Sequence, residues 1–300
     1  MQKFNLAIAY KWKYDKDLID LIEQIFQARG STTYIVHQYN VHETFDKVSN
    51  NRLFFEYYLD RASDEDELFE PLAQLITSKE TFIINPYSIV EESVDKVRTY
   101  KKLKRTELNF PLTYILPPYF EKPNYKISKS RLEKIGFPFV VKPSYYTGGG
   151  DGVHENVFSY EEIQKIRQEL PDDHYLIQQK VDTIELDFGR AWLRVFYFFG
   201  KIIPVWWDDK THIYREITNK EYMNFEIEEI VESTKKIASI TKMGYFSSEF
   251  TINSDDEFVA IDFVNDQCDF RFQSKHVDGV PDRIVRDFAE KLFEIAGTKK

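Results

Sequence analysis

The chain has 300 residues, 42% of them hydrophobic, which is enough for a substantial core and for one to three folding units. Asp and Glu number 50 against 40 Lys and Arg, a formal net charge of -10 that repels phosphate backbones; only the short run Lys101–Arg105 concentrates positive charge. A single cysteine, Cys268, excludes an internal disulfide framework and a thiolate metal cluster.

In chain order, the opening apolar run is too short for a signal-peptide core and reads as a strand over Phe4–Tyr10. Asp17–Ala28 carries Leu18, Ile19, Ile22, Ile25 and Phe26 at helical spacing, with Gly30 as a stop. Thr33–Gln38 and Leu53–Leu59 read as strands, Asp66–Ile76 as a helix, and Thr81–Ile84 as a strand ending in Asn85-Pro86. Strands alternating with helices predict a parallel sheet, so residues 1–88 form a small Rossmann-like α/β unit. A helix over Val90–Leu103, a strand over Leu112–Leu116, and a Pro-rich loop through Pro117, Pro118 and Pro123 follow. Phe137–Val141 is a compact apolar strand and Tyr160–Leu170 a helix.

From Tyr175 onward strands dominate: Tyr175–Val181, Trp192–Phe199, Lys201–Trp207, Tyr245–Ile252 and Glu257–Val264. Helices over Ile227–Thr241 and Arg283–Ala296 complete the pattern. The most apolar tract, Val195–Trp207, is interrupted by Gly200, Lys201 and Pro204 and is too short to cross a bilayer. The chain is expected to be soluble and cytoplasmic.

Chemistry enters at Phe139-Val140-Val141-Lys142-Pro143, followed by the glycine-rich stretch Gly148-Gly149-Gly150-Asp151-Gly152. An apolar strand delivers one lysine to its end, and glycines beyond it let backbone N–H groups turn toward an anion without side-chain clash. The spacing is neither a P-loop nor a dinucleotide fingerprint, and a glycine cluster alone is also a common flexible turn. Downstream, the hairpin Ser247–Ile252 and Phe258–Val264 carries Glu249 and Asp262 into otherwise apolar strands, with Asn265 just beyond. Burying such a carboxylate costs on the order of several kcal/mol unless a cation compensates. Two carboxylates and an amide oxygen are a hard-oxygen set suited to Mg²⁺. A solvated sheet face is the alternative.

Taken together and in order, these residues resemble the ATP-grasp superfamily over most of the chain. Asp95-Lys96 resembles its first phosphate lysine at the head of a helix, and Phe110-Pro111-Leu112-Thr113 its Pro-containing strand. Gly136-Phe137-Pro138-Phe139-Val140-Val141-Lys142-Pro143 resembles its second lysine strand, and Gly148–Val153 its mobile loop. Leu176-Ile177-Gln178-Gln179-Lys180-Val181 resembles the hinge whose backbone meets adenine, and Arg194 begins a strand before the Gly200-Lys201 hairpin. Two positions depart from the pattern. The hinge has Gln179 and Lys180 where an acid is common, which leaves Asp182 or Glu185 as the ribose acid. The last metal pair is Asp262-Phe263-Val264-Asn265 instead of acid-x-Asn, which strict alternation would put on opposite faces. Either a bulge re-aims Asn265, or the strand ends before it, or Asp266 takes its place. Asn265 is the expected ligand.

The resemblance implies an α+β catalytic part of two subdomains clasping ATP, residues 89–175 with the phosphate lysines and glycine loop and residues 176–300 with the hinge and metal hairpin. It implies a ligase that activates a carboxylate as an acyl phosphate for attack by an amine, or less often a thiol, using ATP and Mg²⁺, with Mn²⁺ as a substitute. Lys96 and Lys142 would meet phosphate oxygens; Gly148, Gly149 and Gly150 would close over the γ-phosphate. Gln178, Gln179, Lys180, Val181 and Asp182 would hold adenine and ribose. Glu249, Asp262 and Asn265 would hold the metal, and Arg194 would stabilise the transferring phosphoryl group. Arg271 is expected to bind the substrate carboxylate, its pairing with Asp266 or Asp269 being the structural alternative. Trp206, Trp207 and Asp208 line a pocket or fill the core, Cys268 is packing, and His154 faces solvent. A kinase acting on a hydroxyl and a non-catalytic nucleotide-binding protein remain rival readings. Partners are small-molecule carboxylate and amine substrates, with no nucleic acid or membrane, for a monomer or homodimer.

Overall fold

The computed structural model describes residues 1–145 and 150–297. Gly148 and Gly149 lie outside the described residues. The first unit is a four-stranded parallel sheet in the order β2 (Thr33–Val36), β1 (Gln2–Tyr10), β3 (Leu53–Arg61), β4 (Phe82–Ile84). Its crossovers are α1 (Lys16–Ala28), α2 (Val41–Ser49) and α3 (Glu70–Thr77). The alternation seen in the sequence therefore gives the parallel sheet expected of it. The helix α2 has no expected counterpart: over nine residues it buries only Val41, Thr44 and Val48, too little apolar periodicity to stand out.

The expected single helix over Val90–Leu103 is two, α4 (Tyr87–Val94) and α5 (Lys96–Leu103). Asp95 separates them with extended backbone (φ -67°, ψ 103°), and its carboxylate caps α5 by accepting from Arg98 N at 2.9 Å. A four-stranded antiparallel sheet follows in the order β5 (Thr113–Leu116), β8 (Tyr175–Gln179), β6 (Phe139–Pro143), β7 (His154–Val157). One face carries Leu116, Phe139, Val141, Tyr175 and Ile177 into a core closed by α6 (Lys129–Ile135) and α7 (Tyr160–Ile166). Alternation then turns Thr113, Lys142 and Gln178 to the opposite face. The helix α6 falls where only a Pro-rich loop was expected, because its seven residues begin after the last proline of that stretch.

The short hairpin β9 (Glu185–Leu186) and β10 (Gly189–Arg190) leads into a five-stranded antiparallel sheet. Its order is β13 (Tyr214–Arg215), β12 (Lys201–Trp207), β11 (Trp192–Phe198), β14 (Tyr245–Ile252), β15 (Phe258–Asn265). The short helix α8 (Asn219–Asn224) starts at Thr218 with a capping box to Glu221. Leu193, Val195, Trp206, Phe246 and Phe250 pack with α9 (Glu228–Thr241), while Phe196, Phe198, Trp207 and Tyr245 join a different core. That second core reaches back to the first unit, where Leu6, Ile8, Leu18, Ile22 and Phe26 meet Ile284, Phe288 and Leu292 of α10 (Asp282–Ala296). The last helix thus completes the apolar packing of the first sheet. Among the described residues no helix is long and apolar enough to cross a membrane.

Candidate active site

Three strands of the five-stranded sheet place a row of charges side by side. Arg194 on β11 pairs with Glu249 on β14, and Glu249 pairs with Asp262 on β15. Directly opposed residues share a sheet face, so guanidinium and both carboxylates point the same way. Arg194 Nη2 donates to Glu249 Oε1 at 2.5 Å and Nη1 to Ser247 Oγ at 3.3 Å, and the guanidinium lies 4.1 Å from the ring centre of Trp207. Burial pushes the Glu249 carboxyl up from its ordinary value against the pull of Arg194, and the neighbouring Asp262 adds to the rise.

The register resolves the odd spacing of Asp262 and Asn265. Ser247 opposes Asn265 while Glu249 opposes Asp262, so β15 spends three residues where β14 spends two. A second register shift follows between the pairs Glu249–Asp262 and Phe250–Ala260. Ser247 and Glu249 lie two apart on β14 and share a face, so the bulge brings Asn265 round beside Asp262. Asp266 turns elsewhere: it accepts from Asn85 Nδ2 at 3.0 Å, and burial, with Asp64 and Asp60 nearby, pushes it up to about 6.

The two lysines reach this row from the other sheet and from α5. Lys142 Nζ donates to Ile261 O at 3.0 Å, one residue before Asp262. Lys96 Nζ lies 3.7 Å from Asp262 Oδ1. Both lysines are buried, and burial pulls the Lys142 ammonium down to about 8 although Asp262 opposes the change. Ser144 explains why they meet. Its carbonyl accepts from Lys96 N at 3.1 Å, and its hydroxyl accepts from Val97 N at 3.0 Å and donates to Asp95 at 2.6 Å. The end of β6 is thereby stitched to the start of α5. Sequence reasoning overlooked Ser144, though Asp95 three residues before Arg98 is an N-cap signal.

Gln178 is buried and donates to Thr113 Oγ1 at 3.0 Å, while Gln179 N donates to Leu112 O at 2.9 Å. Lys180 Nζ donates to Asn156 Oδ1 at 2.7 Å, and Lys180 and Asp182 are exposed in the link between the sheets that also contains Val181. Gly150 has φ +88°, a conformation that a side chain resists. His154 is not simply solvent-facing; its Nε2 lies 2.8 Å from Glu169. Trp206 and Trp207 are buried in the core and also line, with Phe188, Arg190, Asp208 and Arg215, a cavity of about 330 Å³. Cys268 is fully buried, and burial pushes its thiol up to about 12.

Arg271 lies between two carboxylates of its own segment. Its Nε and Nη2 donate to Asp269 at 2.7–3.1 Å, and Nη1 and Nη2 to Asp278 at 3.2 and 2.9 Å. A guanidinium bound by two carboxylates has little left for a third, so an anchoring contact with a substrate carboxylate does not follow from its position.

The oxygens of Glu249, Asp262 and Asn265 suit a small hard cation in type, and buried carboxylates beside one another call for positive charge. Among the described residues no group of three or more His, Cys, Asp or Glu is placed to hold a metal, so the amide would have to complete the set.

No family model and no curated protein matches the sequence. Solved structures do match. The D-alanine–D-alanine ligase of Bacillus anthracis, complexed with ATP, superposes with a TM-score of 0.64 at 13% identity, covering 99% of this chain and 97% of that one. D-cycloserine synthetase DcsG gives 0.65 at 14% identity over 97% and 99%. The macrocyclase MdnC of Microcystis aeruginosa, bound to its precursor peptide MdnA, gives 0.62 at 13% over 97% and 100%. The chain has the ATP-grasp fold, with a parallel α/β unit followed by a four-stranded and a five-stranded antiparallel sheet.

Proposed function

We propose that this chain is an ATP- and Mg²⁺-dependent ligase that activates a carboxylate as an acyl phosphate for attack by an amine. One observation carries the reading: Lys142, from one sheet, and Lys96, from a helix head, converge on the strand of the other sheet that bears Asp262. Two ammonium groups facing two carboxylates are the charge pattern that a metal–triphosphate complex fits, being itself anionic at the phosphates and cationic at the metal.

In this reading Lys96 and Lys142 hold α- and β-phosphate oxygens. The link Gln178–Val181 meets adenine, and Asp182 meets the ribose. Glu249, Asp262 and Asn265 would hold Mg²⁺, which supplies neutralising charge to the phosphates when bound. Gly148, Gly149 and Gly150 close over the γ-phosphate and exclude water, which matters because an acyl phosphate hydrolyses readily. Arg194 faces the transferring phosphoryl group; its contacts to Glu249 and Ser247 and its seat over Trp207 fix it in advance, so little reorganisation accompanies the charge shift. A carboxylate oxygen attacks the γ-phosphorus and ADP leaves. The amine then attacks the carbonyl carbon, phosphate leaves, and the amine nitrogen loses a proton.

The test is ADP release with Mg²⁺ and ATP against pooled carboxylates and amines, with hydroxylamine as a trap. A hydroxamate supports the ligase. A stable phosphate ester on a hydroxyl compound would instead make the chain a kinase, and a folded chain that fails to bind ATP would refute both.

A further inference from the structure

The face of the four-stranded sheet that carries Lys142 also carries a side-chain amide with one end tied down. Gln178 on β8 stands directly across from Thr113 on β5 and from Val140 on β6. Lys142 follows Val140 by two residues, so alternation puts it on the same face as Gln178. The two are diagonal neighbours, with Cα atoms roughly 7–8 Å apart. This is the face from which Lys142 reaches Ile261 of the other sheet.

The amide has one orientation. Thr113 Oγ1 donates its single proton to Pro111 O at 2.7 Å, so toward Gln178 that oxygen can only accept. The end of Gln178 that meets it at 3.0 Å is therefore the NH₂ group, and Oε1 points away from Thr113. Among the described residues Oε1 accepts no hydrogen bond, although the residue is only 4% exposed. Unlike the unpartnered atoms that are wholly enclosed, such as Tyr58 Oη and Arg167 Nε, it retains surface that an incoming donor can reach. A nearly buried acceptor held in one direction, with no donor of its own, is what a ligand N–H completes.

Resting on the ligase reading above, we infer that the Gln178 side chain is the specificity-determining residue for the base, and that Thr113 acts through it as a positioning residue. Adenine carries an amino group at its 6-position and donates to Oε1; guanine and hypoxanthine carry an oxygen there and set acceptor against acceptor. The mismatch leaves both oxygens without a hydrogen bond after water has been displaced, which is how a fixed polar group rejects a ligand of nearly the same shape. Discrimination depends on the amide being unable to turn over. A free glutamine would present its NH₂ to a 6-oxo purine equally well, and the relay from Pro111 through Thr113 removes that freedom.

The probes are ADP and inosine 5′-diphosphate, which share sugar and phosphates and differ at the 6-position of the base. The full chain is titrated calorimetrically with each in the presence of Mg²⁺. ADP should bind at least about tenfold more tightly than the inosine nucleotide. Gln178→Met, which keeps the bulk and removes the acceptor, should abolish that preference by weakening ADP. Thr113→Val, which keeps the shape and removes the hydroxyl, should narrow it from the other side, by tightening the inosine nucleotide as the amide becomes free to turn. The preference is a ratio within each variant, so a general loss of stability does not imitate either change. Equal affinity of the unmutated chain for the two nucleotides, an undiminished preference in Gln178→Met, or an inosine affinity unmoved by Thr113→Val would overturn the inference. A chain that binds both nucleotides without preference refutes only the base reader, whereas one that binds neither refutes the ligase reading on which it rests.

Discussion

Asp262 stands directly across the β14–β15 ladder from Glu249, so two carboxylates that repel one another are held on one sheet face. Arg194 at 2.5 Å and Lys96 at 3.7 Å offset part of that repulsion without removing it. Asp262→Asn therefore takes away a cation ligand and a like charge together, and relief of the repulsion lets Glu249 fall toward its ordinary pKa. The expected outcome is an apo protein of unchanged or higher thermal midpoint whose added stability with Mg²⁺ and ADP is lost. Scanning calorimetry with and without Mg²⁺ reads both; a variant that kept its Mg²⁺-dependent shift would take Asp262 out of the cation site.

The bulge between Asp262 and Asn265 separates two neighbours that sequence alone could not. Asn265→Ala is expected to weaken Mg²⁺-dependent nucleotide binding by about tenfold. Asp266→Asn, at a residue bonded to Asn85 and turned toward Asp60 and Asp64, should leave that binding intact. Fluorescent nucleotide titration over a range of Mg²⁺ concentrations distinguishes them, and the reverse ranking would mean that the bulge does not set the ligand.

The strands that carry Lys142, Arg194, Glu249 and Asp262 were legible because each is a run of five to eight mostly uncharged residues holding a single charge. What joins them was not. Ser144 bonding the head of α5, the shifted register around Asp262, and the packing of α10 on α1 are contacts between segments far apart in sequence, and no local pattern records them. The same holds for Arg271. Its position shortly after the hairpin was visible, but Asp278 seven residues later is brought onto it only by the turn between them. The helices missed, α2, α6 and α8, are all short and bury few apolar side chains.

Glu221 gives the clearest pH effect on stability. Its side-chain bonds with Arg215 hold its carboxyl down to about 2, and Thr218 adds the capping-box bonds. A depressed folded pKa means stability that is fully present above the unfolded value, near 4.5, and lost as pH falls toward 2. The pair sits at the surface, Arg215 37% and Glu221 19% exposed, so screening limits the contribution to about 1 kcal/mol. Glu221→Gln should cost that amount at pH 7 and almost nothing at pH 2, measured by urea unfolding at each pH. An equal cost at both would assign the effect to packing of α8 instead of charge.

Arg61 ties the ends of the molecule together, holding Asp15 of the first unit and the carbonyl of Cys268 beyond the last strand. Both charged side chains are almost wholly buried, so removing one strands the other in a dry site. Arg61→Ala is expected to cost about 3–5 kcal/mol. Cys268 reports the same event independently. With its thiol pushed up to about 12, only about one part in ten thousand is thiolate at pH 8, and the side chain has no exposed surface. In the native chain it should react with a thiol reagent no faster than the protein unfolds, and in Arg61→Ala many times faster. Rapid labelling of the unmutated chain would show that Cys268 becomes exposed without unfolding, and that Arg61 is not what keeps it covered.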